Sequence, residues 1–169
     1  MTSPDYFGFF DLPRNLAIDL KDLETRFYRL SRKYHPDVHA RKSPQEREQA
    51  EESTALLNDA YRVLREPIAR AGYLLKLEGF DIGEQTTKDV PPELLEEVFE
   101  LNMELENDPG NENVRQRFLA MRSEVDAEID GAFSEWDAGH ERESLVALRG
   151  LLNRRKYISN LIGKTNVPD

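Results

Sequence analysis

The sequence predicts an all-α protein, with an N-terminal antiparallel helical hairpin flanked by short helices and a C-terminal three-helix bundle. Apolar residues recur at spacings of three and four along most of the chain, which indicates amphipathic helices. No segment shows the alternation of apolar and polar residues that is typical of a strand. With 33% charged and 38% hydrophobic residues, a chain of 169 residues can bury a real core.

The first long helix has a capping residue at its start and a proline after its end. Asp19 is suited to cap the start, and Pro36 ends the helix because proline disfavours helical geometry at the residue before it. The side chains predicted to face the core share one side of this helix: Leu20, Leu23, Phe27, Leu30 and Tyr34. The aromatic segment 6–10 predicts a helical turn that packs on this stripe.

A polar loop over 38–43 leads into the second helix of the hairpin. Ser43 as cap, with Glu46 three residues later, forms the pattern of a capping box. The inward side chains are predicted to be Ala50, Leu57, Ala60, Tyr61 and Leu64. Pro67 breaks this helix, and a short helix follows over 68–77, closed by Gly79. We therefore predict a first domain over 1–78.

The remaining chain predicts a linker over 79–90 and a bundle over 91–169. The first bundle helix runs from Pro91 to about Glu106, and a turn over 108–111 separates it from the second. The second helix is predicted to bury Val114, Phe118, Met121, Val125, Ile129, Phe133 and Trp136. After Gly139 the last helix is predicted to bury Leu145, Leu148, Leu152, Ile158 and Leu161. Short connections favour antiparallel packing.

Charge and cysteine content exclude several classes of function. The net charge of −10 argues against nucleic acid as the general partner, and the absence of cysteine excludes disulfides and thiolate ligands. No apolar run is long enough to span a bilayer, and the first six residues show no secretion signal. Segment 23–34 is basic, whereas segment 89–108 carries eight carboxylates without Lys or Arg. One region therefore suits an acidic partner and the other a basic partner.

A tripeptide at the tip of the predicted hairpin is the most informative motif. His35-Pro36-Asp37 follows the basic segment 28–34, Tyr-Arg-Leu-Ser-Arg-Lys-Tyr, and precedes Leu-Asn-Asp-Ala-Tyr-Arg-Val-Leu at 57–64. Three residues alone would be weak evidence, but this context resembles the J-domain from about Tyr6 to Glu66. The later stretch Arg-Ala-Gly-Tyr-Leu-Leu at 70–75, with Gly-Phe-Asp at 79–81, narrows the resemblance to the HscB/Jac family.

The resemblance implies a co-chaperone for iron–sulfur cluster biogenesis that is not itself an enzyme. Its J-domain would dock on a heat shock 70 kDa chaperone of the DnaK/HscA class and accelerate ATP hydrolysis by that partner. The chaperone-binding residues would be His35, Pro36, Asp37, Arg26, Arg29, Arg32 and Lys33. Cationic side chains on the helix before the motif suit an acidic surface, because complementary charge raises association rates and fixes register.

The resemblance also implies that the bundle binds an IscU-type scaffold protein, through an apolar patch ringed by acids. The matching positions are Leu94, Leu95, Phe99 and Tyr157, with Glu97, Glu100 and Glu104 as the rim. Glu96 departs from the family pattern, since an apolar residue is expected there. Apolar residues on a bundle helix usually form core, so a buried role for these side chains stays open. Phe99 lies off the stripe of Leu94 and Val98, which favours exposure.

Other interpretations are weaker. A J-domain protein with a different client is the main alternative, and a nucleic-acid-binding hairpin is opposed by the acidic total charge. His35 and His39 lack further metal ligands nearby, so we expect no metal site and no cofactor. No nucleophile–base pair or phosphate-binding loop is found in the sequence. The start of the chain lacks an Arg-rich amphipathic presequence, so we expect a bacterial cytoplasmic protein.

Overall fold

A computed structural model of the chain describes residues 4–81 and 87–165. Every regular element in these residues is helical, which confirms the predicted fold class. The chain forms two compact units, Met1–Leu74 and Leu75–Asp169, and the division falls within a helix, Pro67–Leu77. The proposed domain limits at 78 and 91 stay predictions. In the described part of the chain, no helix has the length and apolar character that crossing a membrane requires.

The first unit contains the predicted hairpin and its short flanking helices. In chain order the elements are α1 (Tyr6–Phe9), α2 (Leu20–Tyr34), a 3-10 turn (Pro36–His39), α3 (Pro44–Leu64) and the start of α4 (Pro67–Leu77). Asp19 caps α2, because its side chain accepts the backbone N–H groups of Lys21 and Asp22 at 3.0 and 3.2 Å. Ser43 and Glu46 form the predicted capping box of α3. Local sequence therefore determines where both hairpin helices begin.

The hairpin encloses a core of aromatic and aliphatic side chains. Leu23, Leu57 and Leu64 are fully buried between α2 and α3, and the ring of Phe27 stacks on that of Tyr61 at 4.2 Å. The prediction for Leu20 was wrong, since it is 51% exposed. Leu20 is the first residue of α2 and sits at the end of the stripe, where its side chain stays in contact with solvent.

The predicted turn over 6–10 is α1, and two separate contacts hold it. The ring of Phe9 stacks on Tyr34 of α2 at 6.1 Å, as expected for a turn that packs on the stripe. Tyr6 stacks on Tyr73 of α4 at 4.3 Å and donates its backbone N–H to the Tyr73 hydroxyl at 2.9 Å. This contact explains why a tyrosine stands in the 70–75 stretch.

Arg70 in the same stretch is a buried connector. Arg70 is only 3% exposed. Its guanidinium donates hydrogen bonds to the carbonyls of Leu16 and Leu64 at 2.7 and 3.0 Å. A buried guanidinium is tolerated only where its N–H groups find acceptors. Arg70 therefore joins the loop before α2 to the end of α3.

The second unit contains the predicted bundle. Its elements are a 3-10 turn (Thr87–Asp89), α5 (Pro92–Asn107), α6 (Glu112–Gly139) and α7 (Arg142–Lys164). Asn111 donates its N–H to the Asp108 carbonyl at 3.0 Å and caps α6 with its side chain, which confirms the predicted turn. All seven side chains of the predicted α6 stripe are buried, and Leu145, Leu148, Ile158 and Leu161 of α7 are buried too. Leu152 is half-buried.

Two residues in the left-handed conformation end helices α4 and α6. Gly79 adopts φ 87°, the left-handed geometry predicted for the residue that closes α4. His140 caps the end of α6 at φ 51°, and its ring stacks on that of Trp136 at 4.6 Å between centroids. Residues 82–86 of the predicted linker lie outside the described residues. The linker also includes the 3-10 turn Thr87–Asp89. The Asp89 carboxylate accepts a hydrogen bond from the side-chain amide of Asn153 on α7 at 2.8 Å.

Candidate functional site

The tripeptide lies at the end of α2, where it opens the 3-10 turn. His35 adopts φ −57° and ψ 135°, the extended geometry that a following proline requires. The His35 and Asp37 side chains are 56% and 92% exposed, so both are available to another molecule. An exposed carboxylate beside an imidazole can accept charge-assisted hydrogen bonds from a partner's arginine. The sequence motif is therefore presented at the surface.

Hydrogen bonds within the loop determine which atoms of His35 face outward. The backbone N–H of Asp37 donates to Nδ1 of His35 at 3.2 Å, and one Asp37 carboxylate oxygen lies 3.6 Å from the same nitrogen. Because Nδ1 accepts a hydrogen bond, the neutral ring carries its proton on Nε2. A neutral His35 therefore offers a donor, Nε2–H, to a partner.

Two side chains outside the motif stabilise the end of α2 beneath it. The His39 ring bonds through Nε2 to the carbonyl of Lys33 at 3.0 Å, and the Thr54 hydroxyl donates to the carbonyl of Tyr34 at 3.2 Å. The last carbonyls of a helix have no partner within the helix, so side chains commonly satisfy them. These bonds connect α2, the 3-10 turn and α3, and so orient the tripeptide.

The four predicted cations of α2 divide into two kinds. Arg29, Arg32 and Lys33 are exposed, and none of them forms an ion pair within residues 4–81 and 87–165. Arg26 is different: it bonds Asp22 at 2.9 Å and donates to the carbonyls of Phe10 and Asp11 at 2.8 and 3.2 Å. Arg29, Arg32 and Lys33 are thus available to an acidic surface, while Arg26 joins α1 to α2.

On the bundle, the predicted apolar patch lies on two sides of α5. Phe99 is 65% exposed, and Leu95, four residues earlier on the same face, is half-buried. Leu94 and Glu97 face α6 and α7 instead, where both line a groove with Met121 and Val125. Tyr157 of α7 is half-buried, and desolvation raises the pKa of its hydroxyl. The exposed apolar face is therefore centred on Phe99.

The predicted acidic rim is also heterogeneous. Glu100 and Glu104 are exposed and form no ion pair with any other described residue. Glu97 forms a two-pronged ion pair with Arg117 of α6, whose second bond measures 3.1 Å. The hydrogen bond from Arg117, opposed by some desolvation, holds the pKa of the Glu97 carboxyl below its usual range. Glu97 therefore fastens α5 to α6, and Glu100 and Glu104 remain available to a partner.

Comparisons with known proteins extend over both units of the chain. Residues 5–73 match the DnaJ domain family. The mouse and human iron–sulfur cluster co-chaperone proteins HscB are each 31% identical to the chain over 160 residues, which cover 93% of this chain and 65% of each relative. The chain is therefore similar to HscB-type J-domain proteins along most of its length. It spans about two thirds of the length of these relatives (65%).

Solved structures of HscB proteins share the fold. The crystal structure of human HscB matches with a TM-score of 0.71 and 29% identity, over 96% of this chain and 81% of that chain. HscB from Vibrio cholerae matches with a TM-score of 0.64 and 28% identity, over 96% and 95% of the two chains. Both matches include the bundle as well as the J-domain, so the HscB relationship is not limited to the tripeptide region.

Two exposed side chains were missed in the sequence analysis. Tyr28 is 55% exposed and lies beside the cations of α2, and Met103 is 51% exposed one helical turn after Phe99. On their helices, both residues lie outside the apolar stripe that faces the protein core. A signal was present, since an apolar residue outside the periodic positions is a candidate for exposure. We add Tyr28 to the candidate chaperone-binding surface and Met103 to the patch on α5.

The described residues contain no group of three or more carboxylate or imidazole side chains arranged to hold a metal ion. In particular, His35 and His39 use one ring nitrogen each in bonds to the backbone of the loop and of α2.

Proposed function

We propose that this protein is a co-chaperone of iron–sulfur cluster assembly. Its J-domain stimulates ATP hydrolysis by a heat shock 70 kDa chaperone of the DnaK/HscA class, and its bundle delivers an IscU-type scaffold protein to that chaperone. The single observation that supports this best is the exposed His35-Pro36-Asp37 loop at the end of a basic helix, in a chain that matches HscB relatives over 93% of its length.

The charges of the two regions support the binding of a different partner by each. The exposed cations Arg29, Arg32 and Lys33 suit an acidic chaperone surface, whereas α5 carries five glutamates without a lysine or arginine between Glu93 and Glu104. Complementary charge accelerates encounter and opposes the wrong partner. Opposite charges on the two surfaces would keep chaperone and scaffold from competing for one site. The bacterial cytoplasm stays our prediction for its location.

The test is the rate of ATP turnover by the purified chaperone, measured alone, with this protein, and with this protein plus the scaffold. We expect this protein to raise the turnover rate, and the scaffold to raise it further in a manner that requires this protein. Turnover that is unchanged by the protein would contradict the chaperone assignment. Stimulation without any effect of the scaffold, and without scaffold binding in a pull-down, would instead support a different client.

A further inference from the structure

A groove lies on the side of α5 that faces α6 and α7, away from the exposed patch centred on Phe99. It measures about 270 Å³ and lies between the first half of α5, the middle of α6 and the second half of α7. Its apolar surface comes from side chains on all three helices: Leu94, Met121, Val125 and Ile158. Leu94 is half-buried, whereas the other three belong to the core of the bundle. The base of the groove is therefore apolar.

The wall of the groove is acidic. Four glutamates line it, at positions 93, 97, 124 and 128, against a single cation, Arg154. Arg117 lies between Glu97 and Glu124 and bonds to both, and Arg154 bonds to Glu128 at 3.2 Å. Glu93 forms no ion pair with any other described residue. Even with both arginines counted, four carboxylates face two guanidinium groups, so the wall keeps a negative surplus.

An apolar base under an acidic wall matches one kind of side chain. Lysine and arginine carry a cationic head on an aliphatic stem, and they place the stem on apolar surface while the head reaches polar groups. An acidic side chain would be repelled by the surplus carboxylates, and a purely apolar one would gain no attraction from them. A basic side chain satisfies both parts of the groove at once.

We propose that this groove binds a lysine or arginine side chain of the protein that docks on α5. The stem would lie on Leu94 and Ile158, and the head would bond the carboxylates of Glu93 and Glu128. This proposal rests on the proposed function for the identity of the partner, the IscU-type scaffold. Leu94 and Glu97 point away from the patch of Leu95 and Phe99. The contact in the groove is therefore separate from the contact made at that patch.

The chemistry of the groove can be tested without any scaffold. The full-length protein is titrated with n-butylamine, which mimics a lysine side chain, while methyl NMR signals of Leu94, Val125 and Ile158 are followed. We expect saturable shifts confined to these methyl groups, and at least threefold weaker binding of uncharged n-butanol, since an exposed ion pair contributes roughly a few-fold. The proposal is overturned if n-butylamine causes no saturable shift or binds no better than n-butanol.

The role of the groove in docking is tested with the purified scaffold. Glu93→Gln and Glu128→Gln should each weaken scaffold binding by about two- to fivefold, with less loss at high salt. Glu106→Gln, an exposed glutamate near the end of the same helix, is the matched control and should leave the affinity unchanged. Equal losses in all three variants would reflect general charge and overturn the groove contact. If the wild-type protein does not bind scaffold, the proposed function fails while the n-butylamine result still decides the groove.

Discussion

The two candidate surfaces of this protein differ in how they are built. The surface around His35 is polar and local: its cations and its loop belong to one stretch of 15 residues, Leu23–Asp37, with the loop braced by His39 and Thr54. The surface on α5 is apolar with an acidic surround, and its shape depends on how α6 and α7 pack beneath it. A docking loop can thus be specified by a short motif, whereas an apolar patch requires a tertiary context.

The side chains of the two surfaces also differ in how much they contribute to folding. Asp37 at 92% side-chain exposure contributes little to folding and is free for a partner, while the α5 side chains combine recognition with packing. Substitutions in the loop should therefore separate activity from stability more cleanly than substitutions in the patch.

The largest effect is expected at the loop. Asp37→Asn removes the charge but keeps the size, so stimulation of chaperone ATPase should fall by about tenfold to 100-fold, the cost of losing a charge-assisted hydrogen bond. ATP turnover measures the loss, and circular dichroism with a scaffold-binding assay should show no change. A variant that stimulates as well as the wild type would remove Asp37 from the chaperone contact.

An intermediate effect is expected at the patch. Leu95→Ala with Phe99→Ala should weaken scaffold binding by about 30-fold, as for a truncated aromatic anchor at an interface, while ATPase stimulation without scaffold stays unchanged. Val146→Ala is the matched control, since Val146 is an exposed apolar residue of α7 at 57%. Isothermal titration gives the affinities. A large drop in melting temperature for the double variant would instead assign these residues to the core.

The smallest effect separates the two kinds of cation on α2. Arg29→Ala should slow association with the chaperone by about two- to tenfold at low salt and leave the melting temperature unchanged. Arg26→Ala should destabilise the first unit by about 1–2 kcal/mol, because it leaves the carbonyls of Phe10 and Asp11 without their donor. Stopped-flow binding and thermal unfolding distinguish the two outcomes. If Arg26→Ala slows association without destabilising, Arg26 belongs to the docking surface after all.

Most helix boundaries were predictable because their causes are local. Asp19, Ser43 and Asn111 cap the helices that follow them, and Gly79 adopts the left-handed geometry that closes α4. Caps act within a few residues of the chain, so a single sequence contains the information. The exposed cations of α2 follow equally from a clear apolar stripe on the other side of the helix.

The faces of α5 were harder to predict because the helix is apolar on more than one side. Periodicity placed Phe99 off the stripe of Leu94 and Val98, and Phe99 is exposed, but it left the burial of Leu94 and Leu95 open. Packing on α6, with the Glu97–Arg117 ion pair, turns Leu94 inward and Phe99 outward. The engagement of Arg26 could not be predicted from its helix either, since its carbonyl acceptors lie 15 and 16 residues earlier in the chain.

The sequence by itself determined the all-helical class, the His35-Pro36-Asp37 motif and the opposite charges of the two regions, because each depends on neighbours within about one or two helical turns. Only the tertiary structure decided that Arg26 is engaged while the other cations of α2 are available, that Leu94 turns inward, and that an acidic groove lies beside it. These properties arise where residues distant in the chain meet, so their energies and exposures come from packing and not from local pattern.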